Sequence, residues 1–363
     1  MATETARRPS LFVGLLNLNA GSVIGVDGQS IVLKANDFVG ISNPSALENE
    51  KRKEDEKEDG VFHLVTVRGS ILESKAKSNA VPSNRNIGSA LTVGLVLVGE
   101  KVIQQPIIRR WNPQTEEISA GVPDEETCEN LLSQVEHSGI QPHRILPYHQ
   151  VVSIDQATQW KDRTCHITKQ LLLDRGMQHG DKVVPGTFQE EQNQELNQNK
   201  PIPTDNRVSV DGRSLVYPNI PVVTRDKIQC QKHAGTKAYL QELSPEERTA
   251  LFLQPNPSTH VFQHILARYY HQDWKLLLGD IQLSYIIFLH LQCFASLEHW
   301  RDCVAMLANV EATGMLQYSD LYHQLLDLMS QQMTSTMERD FFEVRPILLR
   351  GAEQENLNWI TLI

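Results

Sequence analysis

Residues Leu276 to Phe294 read LLLGDIQLSYIIFLHLQCF, and this stretch decides the fold of the C-terminal part of the chain. Drawn as a helix, it carries apolar side chains around almost its whole circumference, so other elements must surround it. Burying each large side chain is worth roughly 1.5 to 3 kcal/mol, which makes this helix the main source of stability. The stretch predicts the central helix of an all-α C-terminal domain, residues 241–363.

Local chemistry predicts two further details of this region. Gly279 would cost about 1 kcal/mol relative to alanine inside a helix, which indicates a close helix crossing or a helix start. A helix start there would make Asp280 a first-turn acid. The next helix is expected to begin near Ser296, with Trp300 as a core aromatic and His299 as a surface polar residue.

Helical signals recur on both sides of this region. Ser244 and Pro245 are predicted to open a helix as its cap and first residue. Further helices are predicted over Ser258–His271, Trp274–Ala295, Leu297–Ala312, Leu316–Met333 and Glu338–Arg350. Earlier in the chain, one helix is predicted after Asp124, and one segment from Asp155 to Gly176 would place Trp160, Ile167 and Leu171 on one face.

The first part of the chain has the pattern of short strands joined by turns. Strands are predicted at Leu11–Leu18, Ser30–Lys34, Val61–Arg68, Ala90–Val98 and Lys101–Ile108. The last two are separated by Gly99 and Glu100, which predicts a type II′ hairpin. The predicted fold class is α+β multidomain: a β-rich, sandwich- or barrel-like domain over residues 1–122, with a helical extension over 123–185, precedes the all-α domain.

Two polar regions interrupt this pattern. Residues 186–240 are rich in Gln, Asn and Pro without sustained periodicity, which predicts a flexible linker, partly laid along the surface. The run from Glu48 to Asp59, ENEKRKEDEKED, has no apolar side chain to bury and is predicted to be a solvated loop.

Composition argues against several classes of protein. The net charge of −10 is the wrong sign for a protein that grips phosphate backbones, so direct sequence-specific nucleic-acid binding is not expected. The five cysteines are widely spaced and lack a Cys-x-x-Cys pair, which is typical of reduced thiols in cytosol or nucleus. The longest apolar stretch, Ile281 to Phe294, is shorter than a membrane span requires, so a soluble protein is predicted.

No catalytic motif is recognisable in the chain. Phosphate loops, nucleophile elbows, zinc-protease helices and dinucleotide-binding loops are all absent from the sequence. The best histidine pairs, His260 with His264 and His143 with His149, have no acidic or cysteine partner at ligand spacing. Cys293 beside His290 is interpreted as a buried thiol. We therefore expect no catalytic residue, no cofactor, no metal and no small-molecule substrate.

The run LLGDIQLSYIIFLHLQCFASLEHW resembles the most recognisable block of the AAR-two splicing-factor family. The matching residues are Leu278, Gly279, Asp280, Ile281, Gln282 and Leu283, followed by Leu297, Glu298, His299 and Trp300. Weaker similarities occur near the N-terminus, at Gly25-Val26-Asp27, at Phe38-Val39-Gly40-Ile41, at Arg110-Trp111 and at Pro147-Tyr148. These family-motif residues are expected to be mostly structural, because the all-round hydrophobicity of the central helix indicates a core element.

The resemblance implies a function. It implies a β-rich domain and a helical domain that together hold the large Prp-eight-type scaffold protein during U5 snRNP biogenesis, first in the cytoplasm and then in the nucleus. The protein would be a non-catalytic chaperone that delays joining of the helicase. Two alternatives stay open: a general helical interaction scaffold with another partner, and an enzyme of unrecognised type.

Overall fold

A computed structural model of the chain describes most of its predicted core. The residues it describes are 11–33, 37–42, 61–68, 92–98, 107–112, 117–119, 125–136, 145–178, 180–183, 215–221, 223–224, 227–228, 234–253 and 257–337. The chain divides into two compact units. The N-terminal unit is Met1–Asp162 with Thr168–Leu215, and the C-terminal unit is Arg163–Ile167 with Val216–Ile363.

The described strands of the N-terminal unit form two sheets. In chain order they are β1 (Leu11–Leu18), β2 (Val23–Val26), β3 (Gln29–Val32), β4 (Asp37–Ser42), β5 (Phe62–Arg68), β6 (Thr92–Val98), β7 (Ile107–Asn112), β8 (Glu117–Ile118), β9 (Ile145–Leu146) and β10 (Lys182–Val183). One sheet has the order β8-β7-β1-β4-β9 and the other β10-β6-β5-β2-β3. The predicted strands at Leu11–Leu18, Ser30–Lys34, Val61–Arg68 and Ala90–Val98 are confirmed to within a few residues.

Strand β1 is the centre of the first sheet. It runs antiparallel to β4 and parallel to β7, so Val13 lies opposite both Ile41 and Ile107. The run LFVGLLNL is almost continuously apolar, which is typical of a strand that is covered on both faces of its sheet. Asn17 has φ +60° where the register with β4 shifts, as expected of a small polar residue at a bulge.

Strands β2 and β3 form a tight hairpin. Val26 lies opposite Gln29, which leaves Asp27 and Gly28 as a two-residue loop. Their φ angles of +50° and +81° are both left-handed, as a type I′ turn requires. Asp-Gly is a preferred pair for this turn because glycine adopts positive φ freely and aspartate tolerates it.

The turn of the predicted Gly99-Glu100 hairpin and most of its second strand lie outside the described residues. Strand β6 pairs with β5 and β10 in one sheet, whereas β7 pairs with β1 and β8 in the other. Strand β6 aligns with β5 along its whole length, from Phe62 opposite Val98 to Arg68 opposite Thr92. Ile107 and Ile108, the described end of the predicted strand Lys101–Ile108, pair with Val13 and Gly14 of β1.

Side chains from both sheets form one apolar cluster in the N-terminal unit. Its members include Leu15 and Trp111 from the first sheet and Ile24 and Val67 from the second. The sheets of the N-terminal unit and the helices of the C-terminal unit confirm an α+β fold. Closure of the two sheets into a sandwich or barrel stays a prediction.

Helices follow the strands between residues 125 and 174. They are α1 (Glu125–Glu136), α2 (Tyr148–Val151), α3 (Ile154–Thr164) and α4 (Lys169–Asp174). The segment predicted as one helix from Asp155 to Gly176 is therefore two helices. Thr168 accounts for the break, because its side chain accepts a hydrogen bond from Leu171 N at 3.2 Å and caps a new helix. Trp160, Ile167 and Leu171 are all buried, but not on one helix face.

The described part of the C-terminal unit is largely helical. Its elements are the hairpin β11 (Val223–Thr224) and β12 (Lys227–Ile228), then α5 (Ala234–Glu242), α6 (Pro245–Leu253), α7 (Pro257–Tyr269), α8 (Trp274–Leu291), α9 (Phe294–Ala308), α10 (Ala312–Gln317) and α11 (Ser319–Met337). The cap at Ser244 is confirmed: Ser244 Oγ accepts from Glu247 N at 3.2 Å, and Ser244 N donates to Glu247 Oε2 at 2.7 Å.

The range predicted to be a linker, residues 186–240, contains ordered elements. Residues 216–221 lie in the C-terminal unit with Ile220 buried, and the β11–β12 hairpin and the start of α5 follow. The acidic run Glu48–Asp59 and the predicted helix Glu338–Arg350 lie outside the described residues.

Helix α8 is the central helix that the sequence predicted. Leu277, Leu278, Ile281, Leu283 and Ile287 are fully buried. The helix is long and apolar enough to cross a membrane by length and composition, but 72% of it is buried inside the protein, as in a core helix.

Of the two alternatives predicted for Gly279, the helix start is wrong, and so is the first-turn position of Asp280 that depended on it. Asp273 caps the helix by accepting from Lys275 N at 2.9 Å, and helix α8 begins at Trp274. Gly279 is therefore interior rather than a helix start, and Asp280 is a buried mid-helix residue rather than a first-turn acid. The helix starts earlier because Asp273 caps it. The Asp280 carboxylate can be buried because His299 and Tyr270 contact it in the core.

Candidate functional site

The family-motif residues fall into one group in each unit. In the N-terminal unit, Gly25 and Asp27 lie on and after β2, while Phe38, Gly40 and Ile41 lie on β4. In the C-terminal unit, Leu278, Gly279, Asp280 and Gln282 lie on α8, and Leu297, Glu298, His299 and Trp300 on α9. The structure gives no side-chain placement for Phe38, and Glu298 is exposed. Most of the others are buried, and two buried carboxylates organise their surroundings.

Asp280, His299, Tyr270 and Cys303 form a cluster that we call the Asp280 cluster. Asp280 Oδ2 lies 2.7 Å from His299 Nε2 and accepts a hydrogen bond from the Tyr270 hydroxyl at 2.7 Å. Cys303 Sγ lies 3.4 Å from His299 Nε2. His299 and Cys303 are one helical turn apart on α9, so they present one face to α8. The cluster joins α8, α9 and the residue that follows α7.

His299 is a core residue, so its prediction as a surface residue is wrong. Its side chain is 4% exposed, and that of Asp280 is 0% exposed. Burying a carboxylate is costly unless hydrogen bonds replace its water. Asp280 obtains such bonds from His299 and Tyr270, so the histidine is held inside by the acid.

Tyr217 covers the His299 ring. The two rings stack with centroids 4.3 Å apart, and the Tyr217 hydroxyl lies 2.9 Å from Ser296 Oγ. Tyr217 belongs to the segment 216–221, and Asn219 of the same segment donates to Glu242 Oε1 at 2.6 Å. Side-chain contacts therefore fix this segment against the helices.

Trp300 is a core aromatic, as predicted, and is 1% exposed. Its indole Nε1 donates to Gln332 Oε1 at 3.0 Å, and Tyr285 donates from its hydroxyl to the Gln332 carbonyl at 2.7 Å. The Trp300 and Tyr285 rings lie 5.9 Å apart. Through these contacts Trp300 joins α8, α9 and α11.

Gln282 ties the short segment 163–167 to α8. Its Oε1 accepts a hydrogen bond from His166 N at 2.9 Å, and its Nε2 lies 3.5 Å from Cys165 Sγ. A glutamine suits this place because its amide both donates and accepts. The family-motif position Gln282 thus has a structural role in the C-terminal unit.

We expect the His166→Gln substitution to flatten the pH dependence of stability. Burial lowers the pKa of His166 below its ordinary value, and the charge of Lys275 adds to this effect. The neutral ring is therefore favoured in the folded state, while the unfolded chain takes up the proton as pH falls through about 6.5. The stability that His166 contributes is present above that pH and is lost as pH falls below it.

The measurement is the free energy of unfolding of wild type and His166→Gln at pH 7 and pH 5, with an NMR titration of the His166 ring. Lys275→Gln is the matched variant, because removing this charge should raise the pKa of His166. An unchanged pH dependence in His166→Gln would contradict the expectation.

A second cluster surrounds Asp27 in the N-terminal unit. The Asp27 carboxylate accepts from Leu64 N at 2.9 Å and from the Tyr148 hydroxyl at 2.6 Å, and lies 2.7 Å from His63 Nδ1. Nearby, Trp160 Nε1 donates to the Phe62 carbonyl at 2.8 Å. Gly25 lies on β2, two residues before Asp27. A Cβ at this position would collide with Thr66 Oγ1 on the paired strand β5. The Asp27 cluster fixes the hairpin and α2 to β5.

The histidine pairs singled out in the sequence do not belong to either of these two clusters. His264 lies 2.8 Å from the Tyr239 hydroxyl and 3.9 Å from Glu247 Oε1, while His143 lies outside the described residues. Asp280, His299 and Cys303 instead offer one ligand atom each, all within 4.8 Å of one another. The sequence held one signal for this group that we did not use, the His299-x-x-x-Cys303 spacing on a predicted helix. The acid from α8 could be found only from the packing of the two helices.

Comparison with known protein families decides the identity of the helical region. The family model described as AAR2 C-terminal repeat region matches residues 233–356, which include α5 to α11 and the Asp280 cluster. Residues 233–356 are therefore similar to the AAR2 C-terminal repeat region. AAR2 is the family called AAR-two above, and its motif residues from Leu278 to Trp300 lie inside the match. No curated protein sequence matched the chain.

The AAR2 match over residues 233–356 indicates a splicing-related factor. The family is generally one of non-catalytic assembly factors that act with the splicing machinery. The N-terminal residues Gly25, Asp27, Phe38, Gly40 and Ile41 precede the matched range, so their similarity to the family remains a resemblance.

Proposed function

We propose that this chain is an assembly chaperone that binds the large Prp-eight-type scaffold protein during U5 snRNP biogenesis and delays joining of the helicase. It acts on a cytoplasmic precursor particle and accompanies it to the nucleus. The observation that carries the proposal is the AAR2 family match over residues 233–356. The similarity of Gly25, Asp27 and the β4 residues to the family extends it to the N-terminal unit.

The charge of the chain supports a protein partner. A net charge of −10 repels phosphate backbones, so binding to the RNA of the particle would be unfavourable at long range. An acidic surface attracts basic protein surfaces and speeds encounter with them. The proposed partner is therefore the protein scaffold rather than the RNA.

The two buried acid–histidine contacts support a structural rather than a catalytic role. Asp27 with His63 and Asp280 with His299 are each held inside a core, where hydrogen bonds occupy the carboxylate. A catalytic acid or base must reach the substrate. The exposed apolar side chains Leu253 and Leu316, each 77% exposed, are instead suited to contact with a protein.

Binding is tested with the purified full-length chain and the purified scaffold protein. We expect a complex that survives gel filtration at moderate salt, and the helicase should join the scaffold more slowly when this chain is added first. An unrelated acidic protein of similar charge controls for charge alone. Leu253→Asp and Leu316→Asp belong in the same assay, because changes at exposed positions leave the fold intact.

Absence of a complex at low salt would contradict the proposed function. A complex that leaves the rate of helicase joining unchanged would contradict the delay. A general helical scaffold with another partner is the alternative that the first result would favour.

A further inference from the structure

Three helical elements bring an imidazole, a thiol, a carboxylate and a phenol together in the core of the C-terminal unit. His299 Nε2 is 3.4 Å from Cys303 Sγ and 2.7 Å from Asp280 Oδ2, which is itself 2.7 Å from the Tyr270 hydroxyl. Cys303, Asp280 and Tyr270 are fully buried. We propose that Asp280, His299 and Cys303 form a structural site for a divalent cation of the zinc class.

The donor types fit such an ion. Nitrogen and sulfur ligands with one carboxylate suit Zn²⁺, whereas Mg²⁺ and Ca²⁺ take oxygen ligands. His299 and Cys303 have the i, i+4 spacing that places two ligands on one face of a helix. Asp280 supplies the third ligand from the facing helix, and the Tyr270 hydroxyl lies beside it, 2.7 Å from Asp280 Oδ2.

All three ligand atoms lie within 4.8 Å of one another, and two of their separations can be compared directly with zinc geometry. Zinc bonds of about 2.0 to 2.3 Å separate two tetrahedral ligands by roughly 3.3 to 3.6 Å. The Nε2 to Sγ distance of 3.4 Å already lies in this range. The Oδ2 to Nε2 distance of 2.7 Å is that of a hydrogen bond and must widen by about half an ångström, which side-chain torsions can supply.

Binding is an exchange of protons for the ion, without oxidation or reduction. Cys303 releases its thiol proton to solvent and binds as thiolate, and the proton between His299 Nε2 and Asp280 moves to His299 Nδ1, so that Nε2 and the carboxylate both contact the ion. The charge of the cation is balanced by one thiolate and one carboxylate. The bound site therefore carries no net charge, which limits the cost of burying the ion in the core.

Burial makes this a closed site. A catalytic zinc keeps a position open for water or substrate, whereas a structural zinc is enclosed by protein ligands. Tyr217, stacked at 4.3 Å on the His299 ring, shields it further. The ion would join α8, α9 and the end of α7, so its effect is on the stability of the C-terminal unit and is independent of partner binding.

The test uses the full-length chain, stripped with a chelator and titrated with Co²⁺ and then Zn²⁺. One ion per chain is expected, with the near-ultraviolet absorption of a cobalt–thiolate bond and the visible bands of tetrahedral cobalt, which Zn²⁺ should displace. Cys303→Ala should abolish the thiolate band and weaken Zn²⁺ affinity at least 100-fold, while leaving the bonds among Asp280, His299 and Tyr270 in place.

Cys293→Ala is the matched control, because Cys293 is also buried at α9 but lies outside the cluster. It should keep the thiolate band and the affinity. Circular dichroism confirms that each variant is folded, and Cys303→Ser replaces the alanine variant if that one does not fold. No ion bound by the folded wild type, or binding that survives loss of the Cys303 thiol, would overturn the site.

Discussion

The Trp300→Ala substitution should lower the free energy of unfolding by about 3 to 5 kcal/mol, the usual effect of removing a fully buried tryptophan. Trp300 is 1% exposed and packs against Tyr285, so its loss leaves a cavity between α8, α9 and α11. It also leaves Gln332 Oε1 without its indole donor. Denaturant unfolding followed by far-ultraviolet circular dichroism measures the change.

Two further variants separate the causes of this loss. Trp300→Phe keeps most of the apolar area but not the bond to Gln332, so it should cost about 1 to 3 kcal/mol. Trp274→Ala is the matched control: Trp274 is half-buried at the start of α8, and its loss should cost about 1 kcal/mol. Equal losses for Trp300→Ala and Trp274→Ala would contradict the assignment of Trp300 to the core.

The sequence was informative where one property dominated. The continuous apolar run of α8 could only be a surrounded helix, and its position was predicted to within a few residues at each end. Strand β1 was predicted with its observed ends, because Leu11–Leu18 is a short apolar run bounded by polar residues. Trp300 was predicted as core for its size and hydrophobicity.

Prediction failed where a distant partner decides the structure. Ile107 and Ile108 were predicted to end a hairpin strand, but they lie in β7, which pairs in parallel with β1, far away in sequence. Parallel pairing leaves no local turn signal. The predictions for His299 and Asp280 also used local information, since polar residues are usually exposed. Only the packing of α8 against α9 shows that the two side chains contact each other and so can both be buried.

The candidate site, too, combines residues that a local sequence pattern indicates with residues that only long-range packing brings together. His299 and Cys303 share a helix, so their spacing is visible in the sequence. Asp280 and Tyr270 reach them from other elements, and no period or motif predicts that meeting. Their clustering depends on how three helical elements pack, which is decided by the apolar side chains around them.

The Asp27→Ala substitution should lower the free energy of unfolding by about 3 to 5 kcal/mol, because it leaves buried donors without their acceptor. The carboxylate side chain is 0% exposed and receives bonds from Leu64 N and the Tyr148 hydroxyl, with His63 Nδ1 at 2.7 Å. Alanine also tolerates the left-handed φ of +50° poorly, which adds about 1 kcal/mol of strain. Unfolding followed by tryptophan fluorescence measures the loss.

The Asp27→Asn substitution distinguishes the backbone from the buried charge. Asparagine adopts left-handed φ readily and keeps one carbonyl acceptor, but its amide nitrogen presents a donor where Asp27 has an acceptor. We expect a loss of about 1 to 3 kcal/mol, between wild type and alanine. Asp174→Ala, which removes a solvent-exposed bond from Gln170 in the same unit, should change stability by less than about 0.5 kcal/mol. If Asp27→Ala is no worse than Asp174→Ala, the Asp27 cluster does not hold the hairpin to β5.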